Sequence, residues 1–309
     1  MLTSIRLVLV VLALMMSACA TRDAEAADGV VAAIDGDRVV VTVGGNEFTS
    51  YKFADSLKKP YLWPLAGPKS GKSVTTESSE PYPHHNSLFF GCDRVNGGNY
   101  WQDVNERGQI VSEGPKIVEA PGERAVFTDT CMWKQPGQDP IVRDHRHVTV
   151  SAPNADLRII DFEITLDMLT DVTVENTNHS LFSARVTPEL SVEKGGTLVN
   201  AEGKRNHDGT HGQASPWCDY YGTWADGVTE GVAIFQHPAN RWYPAPWFTR
   251  DYGFFSPTPM QWLEGGKLVF AKGDKVTLKY RVVVHSGTTE EAGIAALWKE
   301  YEAAAKGGK

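Results

Sequence analysis

Cysteine is scarce in this 309-residue chain, with four residues at positions 19, 92, 131 and 218 and no two at C-x-x-C spacing. That excludes a zinc knuckle and a thioredoxin-like redox motif, and leaves at most one disulfide among Cys92, Cys131 and Cys218. Basic charge is short too: 30 Lys and Arg stand against 38 Asp and Glu, a formal net charge of -8. A polyanion is repelled by such a surface, so nucleic acid is not an expected partner. Past residue 18 no apolar run approaches the roughly 20 residues that a membrane-spanning helix requires. Internal repeats and mid-chain shifts of composition are missing as well, so residues 29–309 are expected to form a single domain.

The N-terminus is an address. Arg6 precedes the apolar run Leu7 to Met16, which is too short to cross a bilayer of roughly 30 Å and reads as a signal peptide over residues 1–18. The run ends in Met16-Ser17-Ala18-Cys19, the small residues and cysteine that lipoprotein processing uses. Cys19 is therefore the expected lipidation site, followed by a tether over 19–28, and Ala20 in place of Asp points to an outer membrane. Cleavage after Ala24-Glu25-Ala26 would instead release a periplasmic or extracellular protein.

Hydrophobic period sets the fold class. Ile160, Phe162, Ile164 and Leu166 alternate with Asp161, Glu163 and Thr165, and Val276, Leu278, Tyr280, Val282 and Val284 alternate with Lys275, Thr277, Lys279 and Arg281. Period two marks half-buried antiparallel strands. Asp35-Gly36 and Gly44-Gly45 read as hairpin turns, and further strands are expected near 124–133, 141–150, 169–175, 231–236 and 267–271. Thr288 and Glu291 form a capping box ahead of Ile294, Leu297, Trp298 and Tyr301, so a helix is expected over 289–305. The pattern predicts an all-β protein, a large antiparallel β-sandwich closed by a C-terminal α-helix.

Ala66-Gly67-Pro68-Lys69-Ser70-Gly71-Lys72-Ser73 fits the loose phosphate-loop pattern. A phosphate loop needs a helix after it, whose amides hold the phosphates; here the β-branched, serine-rich and proline-broken VTTESSEPYP follows. An exported protein also meets no ATP. The segment is read as an exposed turn, and no nucleotide is expected.

Two segments combine polar and aromatic residues densely. Tyr82-Pro83-His84-His85 precedes an apolar run and, with Asn96 and Trp101, could offer a proton donor and a ring platform for a sugar. His237 to Gly253 gathers His237, Asn240, Trp247, Arg250 and Asp251 in a proline-rich loop, rigid aromatics beside donors suited to sugar hydroxyls. Arg185 joins them as a candidate substrate-binding residue, and Asp219 in WCDYYG and Glu189 as candidate bases. His145 with His147, and His207 with Asp208 and His211, have spacings that could serve a divalent metal. Each of these groups could equally be a surface or structural residue.

Read together, PYLWPLAGPKSG, PHHNSLFFG, VNGGNYW, WCDYYG, GVAIFQHPAN and PAPWFTRDYGFF, in that order, resemble the family of secreted bacterial proteins labelled "methane oxygenase PmoA". The label cannot describe an activity here, because a particulate methane monooxygenase subunit has several long apolar helices. The resemblance implies a galactose mutarotase-like supersandwich. It marks His84, His85, Asn96, Trp101, Asp219, His237, Asn240, Trp247, Arg250 and Asp251. The chain departs from the family pattern at Cys92 and Asn99, where His and Asp are usual.

Three functions compete. The first is a sugar-processing enzyme of hydrolase, lyase or epimerase type, with His84 or His85 as general acid and Asp219 or Asp251 as base. The second is a carbohydrate-binding surface lipoprotein without catalysis. The third is a metal-dependent enzyme using histidines of the first segment with His237 or the His145/His147 pair.

Overall fold

The computed structural model describes residues 29–102 and 104–307, so the expected signal, tether and lipidated Cys19 lie outside the described residues. Two antiparallel sheets stack face to face. The first sheet runs, in spatial order, Val30–Asp35, Arg38–Val43, Asn46–Lys52, Tyr61–Leu62, Leu88–Val95, Ser180–Arg185, Phe254–Pro257 and Trp247–Thr249. The second runs Thr197–Asn200, Trp217–Thr223, Thr229–Gln236, Lys275–Ser286, Leu157–Met168, Val142–Asn154, Arg124–Lys134 and Gln109–Ser112. The β-sandwich read from the alternation is the observed architecture.

Aromatic rings from the two inner faces meet in the core. Phe182 stacks on Tyr280 with centroids 4.5 Å apart, Phe162 lies 4.9 Å from Phe182, and Tyr51 packs 5.3 Å from Phe127. The alternating strands bury the predicted side: Ile160, Phe162 and Ile164 are enclosed while Asp161, Glu163 and Thr165 are not. Pairing follows charge as well, since Asp161 faces Arg281 across the ladder and accepts from its Nε at 2.7 Å and its Nη2 at 2.8 Å.

Three local findings refine the sequence expectations. The Thr288/Glu291 box forms, with Thr288 N–H donating to Glu291 Oε2 at 2.8 Å, but the helix itself is Ile294–Gly307. Gly293 at φ 66° is left-handed, so the capped turn and the helix are separate pieces. The helix lies on the outer face of the second sheet, where Trp298 packs edge-on against Phe235 at 5.6 Å. This explains why Thr229–Gln236 is buried on both faces instead of alternating. Finally, Cys92, Cys131 and Cys218 are all free and buried, and burial raises all three thiol pKa values.

The phosphate-loop look-alike is more than an exposed turn. The N–H groups of Lys69 and Ser70 donate to Glu230 Oε1 at 2.8 and 3.0 Å, and Trp224 Nε1 donates to Oε2 at 2.8 Å. A buried carboxylate of the same chain thus occupies the place an external anion would need. Gly67 is required for this approach, because a Cβ there would lie 2.1 Å from Glu230 Oε2.

Candidate functional site

On the first sheet, alternation that sends Leu88 and Phe90 into the core turns Phe89 outward, where it joins Tyr61, Trp101, Phe248 and Phe254 in a second apolar cluster. Loops over this outer face enclose a hollow of about 350 Å³, lined by Tyr82, His84, His85, Gln102, Asn178, His179, Phe248, Arg250, Tyr252 and Phe254. The PHH segment and the RDYG segment, far apart in sequence, therefore border one cavity.

One wall is stacked rings. His85 lies 4.5 Å from Phe254 and 5.2 Å from Tyr82, and Tyr82 lies 4.9 Å from Tyr252. The enclosure sets the charge of both histidines. Burial, reinforced by Lys59 and His179, lowers His84 to about 4; burial, reinforced by His84 and Arg185, lowers His85 to about 2. Both shifts favour the neutral rings in the open hollow.

His179, also in the lining, belongs to a pair that sequence reading missed. His179 Nδ1 lies 2.8 Å from Asp93 Oδ2, and Thr177 donates its hydroxyl to Asp93 Oδ1. Asp93 is buried, and the His179 ring stacks on the Trp101 indole at 5.8 Å. A carboxylate on Nδ1 fixes the tautomer and leaves Nε2 as the free ring nitrogen. His179 stands in the plain sequence NTNHS and Asp93 sits 86 residues away, so no spacing signal links them.

Arg250 lines the hollow as well. Its guanidinium lies 4.0 Å from the centre of the Phe248 ring and donates through Nη1 to Thr249 O at 2.9 Å. His211 is lowered to about 4 by burial and by this same cation. Beneath the floor, Arg185 is buried with its guanidinium 4.3 Å over Tyr252, and Lys59, fully buried, donates to His84 O, Asn86 Oδ1 and Trp101 O at 3.1, 3.1 and 2.9 Å.

The remaining candidates fall elsewhere. Trp101 and Trp247 are fully enclosed and offer no face to a ligand; Trp247 stacks on Phe255 and donates to Ser215 O. Asp219 is fully buried against His285, whose Nε2 lies 2.9 Å from Oδ1, with Thr289 donating to Oδ2, so it cannot act as base in the hollow. Asp251 spends Oδ1 on the His207 N–H, and Asn96 clamps a turn by bonding Asp171 O and Thr173 N. The HPAN loop lies on the second sheet: Asn240 bonds Lys279 through both amide atoms, and His237 lines a separate depression with His147 and Tyr301. Glu189 accepts from the Thr187 hydroxyl. His145 and His147 are exposed, as is Asp208. Among the described residues no three His, Cys, Asp or Glu side chains are grouped to hold a metal ion.

A two-sheet antiparallel sandwich with an aromatic and histidine-rich hollow on one outer face is the class this geometry defines. Residues 38–299 match a family described as "Family of unknown function (DUF6807)", and the chain belongs to it. That description carries no methane-oxygenase activity. No curated protein matches the chain by sequence. Among solved structures, it is similar to a putative aldose 1-epimerase from Escherichia coli K12, at 13% identity and TM-score 0.33, covering 84% of this chain and 98% of that one. A galactose 1-epimerase from Lactobacillus acidophilus NCFM gives 11% identity and TM-score 0.43 over the same shares of the two chains. A GalM/aldose epimerase homologue from C. elegans gives 10% and 0.34, again over 84% and 98%. At these scores nothing about this chain's chemistry follows from the likeness.

Proposed function

We propose that the hollow binds a sugar ring and carries out proton transfer on it, with His179 as the base and Asp93 holding it. The observation that carries this reading is the 2.8 Å contact between His179 Nδ1 and the buried Asp93 carboxylate at the cavity wall. Such a carboxylate orients the imidazole and stabilises the imidazolium formed when Nε2 accepts a proton. Tyr82 and Tyr252 supply ring faces, and the Gln102 and Asn178 amides supply hydrogen bonds for hydroxyls. A volume of about 350 Å³ falls at the small end of ligand sites, which run from about 300 to 1,000 Å³.

Of the hydrolase, lyase and epimerase types, the positioned His179–Asp93 pair supports abstraction of a proton from a carbon beside a carbonyl or carboxyl group, with the imidazolium returning it to that carbon or to a leaving group.

The test is solvent deuterium incorporation, followed by NMR, when the purified protein is incubated in D2O with a panel of free sugars and oligosaccharides. His179→Ala should lower exchange by about 100-fold or more, the usual scale for a general base. Asp93→Asn should lower it while the fold persists. Exchange at the wild-type rate in His179→Ala discards the assignment, and binding without any exchange favours a carbohydrate-binding protein.

A further inference from the structure

Arg250 lines the hollow, and Arg185 and Lys59 lie behind its lining residues Tyr252 and His84, with no carboxylate hydrogen-bonded to any of the three among the described residues. Arg250 contacts only neutral partners: Thr249 O at 2.9 Å, His211 Nδ1 at 3.3 Å and His207 Nδ1 at 3.4 Å, all through Nη1. Its Nε and Nη2, the side-on edge of the guanidinium, have no protein partner among the described residues. Arg185 is 2% exposed, bonds only Tyr252 O, and leaves its Nε unbonded. Lys59, fully buried, meets three carbonyl-type oxygens and no acid. The nearby Asp93 is already committed to His179 and Thr177.

A concave, low-dielectric wall concentrates the field of the charges beside it; burial brings Lys59 down to about 7, so the lasting charges are the Arg250 and Arg185 guanidiniums. This arrangement stands in a chain of net charge -8, where carboxylates are plentiful. Arg250 lines the hollow, so its unpaired edge offers a place for an anion there. A free Nε/Nη2 edge matches the two oxygens of a planar carboxylate better than it matches a lone hydroxyl.

Resting on the reading of the hollow as a sugar site, we infer that its ligand is an anionic sugar of the uronic acid class, with the carboxylate on the side-on edge of Arg250. His84 and His85 line the hollow without adding a second charge, so discrimination falls on the Arg250 guanidinium, with Arg185 behind Tyr252.

Calorimetric titration with galacturonate and glucuronate, their methyl esters, and the corresponding neutral sugars tests the inference. Wild-type protein should bind the acid at least about tenfold more tightly than the ester, as a charge-assisted bidentate contact allows, and rising NaCl should erode that margin. In Arg250→Gln acid and ester should bind alike, and Arg250→Lys should keep part of the difference. If the ester or the neutral sugar binds the wild type as well as the acid, the uronate assignment falls and the sugar site stands. If no sugar binds in any form, both fall. Displacement of the acid by inorganic sulfate at equal concentration would show a general anion hole, and would overturn the assignment as well. The acid-versus-ester comparison uses unaltered protein, so it holds even if a variant does not fold.

Discussion

His85 shows how burial converts a titratable side chain into a structural ring. Its folded pKa of about 2, against an ordinary 6.5, arises first from burial and then from His84, Arg185 and Lys59. The unfolded chain binds a proton at this residue below about pH 6.5, whereas the folded chain does not until about pH 2. Its contribution to stability is thus complete above pH 6.5 and is lost on acidification through that window, by up to about 1.4 kcal/mol per pH unit. Its Nδ1 has no partner, so His85→Phe removes the titration without breaking a hydrogen bond. Denaturant midpoints measured between pH 4 and 7 should fall less steeply in that variant, and an unchanged slope contradicts the account. The residue scale is also where sequence reading was weakest. Trp101 and Trp247 have the composition of a sugar platform, but strand alternation and loop packing turned both inward, and nothing local distinguishes an inward Trp from an outward one.

At the scale of elements, legibility tracked periodicity. The long strands Leu157–Met168 and Lys275–Ser286 were plain because one face is core and the other polar. Thr229–Gln236 was less so, since the helix buries its second face. The loop from Gly67 to Ser73 was read as an exposed turn, yet its amides hold Glu230, about 160 residues away, which no local pattern reveals. Gly67→Ala would press its new methyl against that carboxylate, and Glu230→Gln would set an amide N–H2 among donors. Each should cost roughly 2 to 4 kcal/mol in urea denaturation, the range for a broken buried hydrogen-bond cluster. Because both act on the same contact, the double variant should lose less than the two losses combined. Wild-type stability in Gly67→Ala would show that the loop can open without cost.

For the molecule as a whole, the sandwich was legible from its strands, but only part of the candidate site was. Two expected segments, PHH and RDYG, share the hollow, while HPAN stays beside the second sheet, because it directly follows the second-sheet strand Thr229–Gln236 and the chain reaches the first sheet only at Trp247–Thr249. The residue with the best-defined catalytic geometry, His179, required the Ser180–Arg185 strand to pair with Leu88–Val95 before Asp93 came near it. Export remains our proposal from the first nineteen residues, and it has its own measurement. Cys19→Ser should move the protein from the membrane fraction to the soluble fraction of its producing cells and abolish incorporation of labelled fatty acid; unchanged fractionation contradicts lipidation at that residue.

The helix Ile294–Gly307 and the hollow sit on opposite outer faces of the sandwich. A chain coupled to a sensor chip or resin through the far end of that helix would hold its cavity toward the flowing solution. The fold thus comes with an attachment point that leaves the candidate site open to screening against immobilisation-sensitive ligands such as long polysaccharides.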